Sequence, residues 1–214
     1  MTVRRGAIRA ALWWSVALGT LAAASAWIRA GESGQLFFDR EGLILANAWR
    51  SPWLDWIFLG LTWLGSLLTL LPLVLAVGTL LWRRGHRGEA CFIVGALAGA
   101  SLLAQLVKHL TLRPRPDLFA ALAPVASPLS FPSAHAVQAT AVAAALWLVA
   151  ARLTPRYRQW LMPVLLLIVV LVDSSRLYLQ VHYPSDVVAG TIAAGCWVVG
   201  LQALMRTGDA TPRA

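Results

Sequence analysis

The sequence predicts an all-α polytopic membrane protein with six transmembrane helices and a short interfacial helix on the outer face. Three observations predict it. Of 214 residues, 59% are hydrophobic and 13% charged, whereas a water-soluble domain carries about 25% charged residues. Separate apolar runs recur at the length of about 20 residues that a bilayer demands. Lys and Arg fall in small groups between those runs, as loop cations that orient a membrane chain do. Six spans leave no room for a second folded unit, so residues 1–214 are expected to form one domain. The net charge of +9 does not point to nucleic acid, which requires basic residues gathered on one groove-sized surface.

The apolar runs are Ala7–Ala30, Trp53–Trp82, Glu89–Leu110, Ser133–Ala151, Gln159–Leu179 and Val187–Met205. Within the first, Ala24-Ser25-Ala26 resembles a signal-peptidase site. The run continues apolar through Trp27 and Ile28 and heads a polytopic chain, so an uncleaved first helix is expected. Leu36–Trp49 mixes apolar residues with Asp39, Arg40 and Glu41 and is too polar to span. It reads as the interfacial helix, anchored by Trp49, Trp53 and Trp56. Pro72 and Pro163 fall inside runs, where membrane helices accept them as kinks. Cys91 and Cys196 lie in apolar stretches and read as buried fillers, neither disulfide nor metal pair.

Arg4, Arg5, Arg9, Arg83, Arg84, Arg87, Arg152, Arg156, Arg158, Arg206 and Arg213 share one side of this arrangement. The other side holds Arg29, Arg40, Arg50, Lys108, Arg113, Arg115 and Arg176. The imbalance predicts cytoplasmic termini and a Thr111–Pro132 loop that faces outward, to the periplasm or cell exterior.

Three polar clusters then meet at the outer helix ends. Lys108, Arg113 and Arg115 close the third run and the loop after it. Pro132-Ser133-Ala134-His135 opens the fourth, where Ser133 can cap the helix and free N–H groups can bind phosphate. Ser175-Arg176 precedes His182 and Asp186, four residues apart across a turn. That spacing lets the carboxylate fix one imidazole nitrogen and leave the other free to attack. Asp173, in an apolar helix, calls for an ion-pair partner such as Lys108 or Arg176.

Lys108-x6-Arg115-Pro116, Pro132-Ser133-x-His135 and Ser175-Arg176-x5-His182-x3-Asp186 resemble the signature motifs of the type 2 phosphatidic acid phosphatases. That superfamily also includes acid phosphatases and vanadium haloperoxidases. Ala134 stands where the family has Gly; a helical backbone accommodates Ala, a positive φ would strain it. The resemblance implies a phosphohistidine at His182, oriented by Asp186, with His135 protonating the leaving oxygen. Lys108, Arg115, Arg176, Ser133 and backbone N–H groups at Ala134 would hold the phosphoryl oxygens. No metal or other cofactor is implied, since three cations can do a metal's work at phosphate.

The resemblance further implies a bacterial plasma membrane, and the expected substrate is a membrane lipid phosphate or polyprenyl diphosphate, with undecaprenyl diphosphate favoured. Phosphatidylglycerophosphate or phosphatidate hydrolysis, or phosphotransfer to another lipid, uses the same residues. A transporter would instead place its ionisable groups near mid-membrane. Arg113 bears on the choice: beside Arg115 it either meets a second phosphate or is a solvated loop cation.

Overall fold

The computed structural model describes residues 2–31 and 35–206. Among them the chain forms helices α1 (Thr2–Ala30), α2 (Phe37–Ala48), α3 (Pro52–Leu61), α4 (Leu67–Arg83), α5 (Arg87–Thr111), α6 (Ala134–Leu153), α7 (Arg158–Tyr178) and α8 (Pro184–Met205). No named strand occurs among the described residues, which keep one isolated antiparallel bridge, Pro114 with Leu129. α1, α5, α6, α7 and α8 are each long and apolar enough to cross a membrane, and α3 with α4 can make a sixth span, bent by 44°. The polytopic all-α architecture expected from the run lengths is therefore present. Arg213 lies outside the described residues.

Small residues make the close packing possible. Ala96 and Ala100 of α5, Ala141 and Ala145 of α6 and Ala194 of α8 are all fully buried in one cluster with Ile93 and Val198. In lipid, where apolar side chains gain nothing by leaving the solvent, such close approach is the main source of helix association. Many other large apolar side chains point outward, among them Leu68, Leu102, Leu166 and Leu167. Ser25, within the segment resembling a cleavage site, is buried in the continuous α1 and its hydroxyl hydrogen-bonds the Thr111 hydroxyl at 2.8 Å.

Three expectations need correction. The second apolar run is not one helix kinked at Pro72. It breaks at a 3-10 turn, Thr62–Gly65, after which Ser66 caps α4 by accepting from Leu68 N at 3.2 Å. Gly65 permits this, because a Cβ there would lie 2.5 Å from Val172 Cγ1 and 3.2 Å from His135 Cβ. Asp173 has no ion pair with Lys108 or Arg176; its carboxylate accepts from the Thr191 hydroxyl of α8 at 3.0 Å, so a neighbouring helix supplies a hydroxyl in place of a cation. Cys91 is exposed on α5, unlike the buried Cys196.

α2 covers nearly the stretch expected of the interfacial helix. It packs against the ends of α7 and α8, with Gly42 so close to Pro184 that a Cβ would come within 2.5 Å of its Cγ. Trp49, Trp53 and Trp56 beside it are exposed.

Candidate active site

Three chain turns bring the signature residues together. α5 ends at Thr111, and the left-handed backbone of its C-cap Leu112 (φ 54°) redirects the chain and sends Arg113 and Arg115 back into the protein. The loop then folds on itself, with Ser130 N donating to Arg113 O at 2.8 Å and Ser130 Oγ to Pro114 O at 2.8 Å. It re-enters at Ser133, the N-cap of α6, whose own N–H donates to Asp186 O at 3.1 Å. α8 starts at Pro184 with Asp186 in its first turn, accepting from Tyr183 N at 2.9 Å. Asp186 thus caps its own helix, a favourable place for a carboxylate.

The same Asp186 oxygen, Oδ2, lies 3.3 Å from His182 Nδ1. His182 Nε2 lies 3.3 Å from Arg115 Nη1. A guanidinium cannot accept a hydrogen bond, so this contact fits a free lone pair on Nε2 and the proton on Nδ1. Burial, then Arg176, Arg115 and Lys108, hold the His182 imidazolium well below its ordinary range. Those influences favour the neutral ring. Burial also lowers Arg115, opposed by Asp186.

The imidazole faces a cavity of about 360 Å³ lined by Lys108, Arg115, His135, Arg176 and His182. Among the described residues no carboxylate lines it. Lys108 Nζ donates to Leu129 O at 3.0 Å and Ser130 O at 3.3 Å, leaving one of its three N–H groups. Arg115 commits Nε to Ser127 O at 2.7 Å and Nη1 to Val181 O at 2.6 Å. Arg176 donates to the Thr62 hydroxyl through Nη1, and its buried Nε has no partner among the described residues. Such a surplus of donors at one cavity suits a multiply charged oxyanion. Leu59, Trp63 and Leu68, from α3, the 3-10 turn and α4, add an apolar wall on the same cavity. A larger groove of about 500 Å³, between α4 and α5, is lined by Leu75, Trp82 and Val94 among others and holds no charged side chain.

Lys108, Arg115, Ala134, His135, Arg176 and His182 therefore share one cavity, with Asp186 behind His182 and Ser133 at the helix start beside it. Ala134 is the first residue of α6 and has no positive φ, so Ala in place of Gly carries no backbone strain. Arg113 does not join them. It is 2% exposed and bound to Asp39, Ser185 and Asp186, which contradicts both a second-phosphate contact and a solvated loop cation. Thr62 and Asp39 were not anticipated; the break between α3 and α4 brings in the first, and the docking of α2 the second. Among the described residues no group of three His, Cys, Asp or Glu could hold a metal ion.

An anion cavity with a carboxylate-held imidazole, set at the helix ends of a membrane bundle, is the layout of a membrane phosphatase. The chain belongs to the PAP2 superfamily, whose profile matches residues 89–208. It is 31% identical to phosphatidylglycerophosphatase B of Bacillus subtilis (strain 168) over 144 residues, 66% of this chain and 70% of that protein. Decaprenylphosphoryl-5-phosphoribose phosphatase of Mycobacterium tuberculosis is 42% identical over 101 residues, 46% of this chain and 51% of its own length. The crystal structure of a transmembrane PAP2 type phosphatidylglycerolphosphate phosphatase from Bacillus subtilis superposes with a TM-score of 0.79 at 25% identity, covering 94% of this chain and 98% of that one. That of LpxE from Aquifex aeolicus shares the fold, with a TM-score of 0.64 at 24% identity over 78% of this chain and 97% of that one. The protein is thus an integral membrane enzyme of the lipid phosphatase class.

Proposed function

We propose that this enzyme removes the phosphate monoester of a membrane lipid by way of a phosphohistidine on His182. The observation that carries the reading is His182 itself, neutral, gripped at Nδ1 by Asp186 and presenting Nε2 among three cations. Nε2 attacks phosphorus and the bond to the lipid oxygen breaks, with His135 handing a proton to that oxygen. Water then attacks the phosphohistidine, His135 takes a proton from it, and orthophosphate leaves. Lys108, Arg115, Arg176, Ser133 and the first N–H groups of α6 hold the three phosphoryl oxygens throughout. This chemistry is mostly positioning and charge stabilisation, which the residues supply without a metal.

The apolar wall of Leu59, Trp63 and Leu68 suits a substrate whose tail stays in the bilayer. The loop cation imbalance supports a cavity at the outer leaflet of a bacterial plasma membrane, with both termini cytoplasmic. Beyond the family resemblance, the sequence-based reason to favour undecaprenyl diphosphate is an Arg113 contact to a second phosphate. With Arg113 engaged elsewhere that argument lapses. Two of the relatives are named as a phosphatidylglycerophosphatase and a decaprenylphosphoryl-5-phosphoribose phosphatase, which supports a lipid phosphate as substrate.

Phosphate release from phosphatidylglycerophosphate, phosphatidate, undecaprenyl diphosphate and a water-soluble ester, with chelator present, tests the reading. The lipid monoesters should be hydrolysed fastest. A tenfold preference for the diphosphate would overturn the monoester preference, and release from none of the lipids would overturn the function. Product analysis with an added lipid acceptor separates hydrolysis from phosphotransfer.

A further inference from the structure

Arg113 sits between two carboxylates that the chain supplies from far apart. Nη1 donates to Asp186 Oδ1 at 2.6 Å and Ser185 Oγ at 2.7 Å, and Nη2 donates to Asp39 Oδ2 at 2.7 Å. Ser185 closes the ring, its hydroxyl donating to Asp39 Oδ2 at 2.8 Å and its N–H to Asp39 Oδ1 at 2.9 Å. The guanidinium lies over the Tyr183 ring, 3.9 Å from its centroid. Asp39 is wholly buried, and it also accepts from Leu36 N at 2.9 Å. Nε of Arg113 has no partner among the described residues, so Asp39 holds the end of the fork that Asp186 does not.

Asp186 divides its oxygens between two tasks. Oδ2 takes His182 Nδ1, and Oδ1 is fixed by Arg113. The plane of the carboxylate, and with it the direction of the imidazole, thus depends on where Arg113 is held. A guanidinium shared by two carboxylates also leaves Asp186 more negative charge than an exclusive pair would. That charge matters most as His182 forms its bond to phosphorus and its ring turns positive, so it acts on the transition state more than on bound substrate.

We propose that Asp39 is a positioning residue for the phosphoryl transfer, acting through Arg113 on Asp186, and that α2 is by this link part of the catalytic apparatus. The proposal rests on the phosphohistidine reading of His182. It reaches outside residues 89–208, the part of the chain that the superfamily profile matches.

Asp39→Asn keeps the shape and the acceptor for Ser185 N but presents an N–H₂ or a neutral oxygen to Arg113. The purified full-length variant is followed by alkaline-quenched single turnover, which gives the amplitude and the rate constant of phosphohistidine formation, together with kcat and KM. The rate constant and kcat should fall together by about 10–100-fold, the range for a misplaced reacting group. KM should stay within about threefold, because the cations that bind phosphate are untouched. A reduced amplitude at the wild-type rate constant would mean that Asp39 only supports folding and would overturn the proposal, as would a raised KM at unchanged kcat. Should Asp39→Asn fail to fold, Ser185→Ala removes one strut of the same ring and should lower the rate constant about threefold. A wild-type rate constant in that variant overturns the proposal as well. Lipid hydrolysis by the unaltered enzyme with no phosphate on His182 would instead overturn the reading beneath it.

Discussion

Gly65→Ala adds one methyl group where two helices meet beside the site. Its Cβ would stand 2.5 Å from Val172 Cγ1, 3.2 Å from His135 Cβ and 3.3 Å from His135 O. Carbon atoms in contact prefer about 3.5–4.0 Å, so the pair must part by about 1 Å. Val172 is fully buried and cannot swing into open space. Overpacking of this kind costs about 1–3 kcal/mol, against about 0.4–1 kcal/mol regained from a stiffer unfolded chain. The net loss is about 1–2 kcal/mol, or a few degrees in Tm. Part of the shift passes to His135, and if misplacement by about 1 Å loses about 100-fold in rate, half of that loses about tenfold. Detergent-solubilised variants compared by thermal melting and single-turnover lipid hydrolysis measure both effects. Adding Val172→Ala removes the blocking methyl and should recover most of the rate but not the stability. Gly60→Ala, with nothing within 4 Å of its Cβ, is the control and should change neither rate nor stability adversely. A Gly65→Ala enzyme with wild-type rate and Tm would refute the reasoning.

Replacing His135 by Ala should slow hydrolysis most for lipids with poorly acidic leaving alcohols and least for an aryl phosphate, as judged by the slope of rate against leaving-group pKa. His182 is held neutral well below its ordinary value of about 6.5, so kcat/KM should show no loss between pH 7 and 6 from this group, and a loss centred at 6.5 would contradict its burial. The unfolded chain takes up that proton near 6.5 and the folded chain only well below it. His182 therefore contributes stability that is full above about pH 6.5 and lost as pH falls toward the folded value, which melting at stepped pH would show. Arg113→Ala leaves Asp39 and Asp186 buried without their cation and should destabilise by about 3–5 kcal/mol, lowering activity alike on monoester and diphosphate lipids. A selective loss on the diphosphate would return Arg113 to the substrate.

The apolar helices and the cavity residues are legible because their signals are local. Run length, loop cations and fixed spacings such as His182 to Asp186 do not depend on what packs where. Arg113 was misread for the opposite reason. Two residues from Arg115, in a Pro-flanked loop, it looks like a cation free to meet solvent or phosphate, and only the docking of α2 buries it. Asp39 was read as evidence that its helix is polar, yet it is the helix's most buried contact. A signal existed in its position, at the first turn of a helix with Gly42 three residues on, but nothing in the linear chain names Ser185 as the neighbour. Thr62 became visible only once the break at Gly65 moved from the Pro72 kink that sequence favours.

The most direct test of the account is the site of covalent phosphate during turnover. The enzyme is mixed with labelled phosphatidylglycerophosphate, quenched in alkali, where phosphohistidine survives, and digested for mass spectrometry. The account predicts phosphate on Nε2 of His182, formed no slower than lipid product is released and missing from His182→Ala along with turnover. Hydrolysis at the wild-type rate by His182→Ala, or label on any other residue of a competent enzyme, would contradict it.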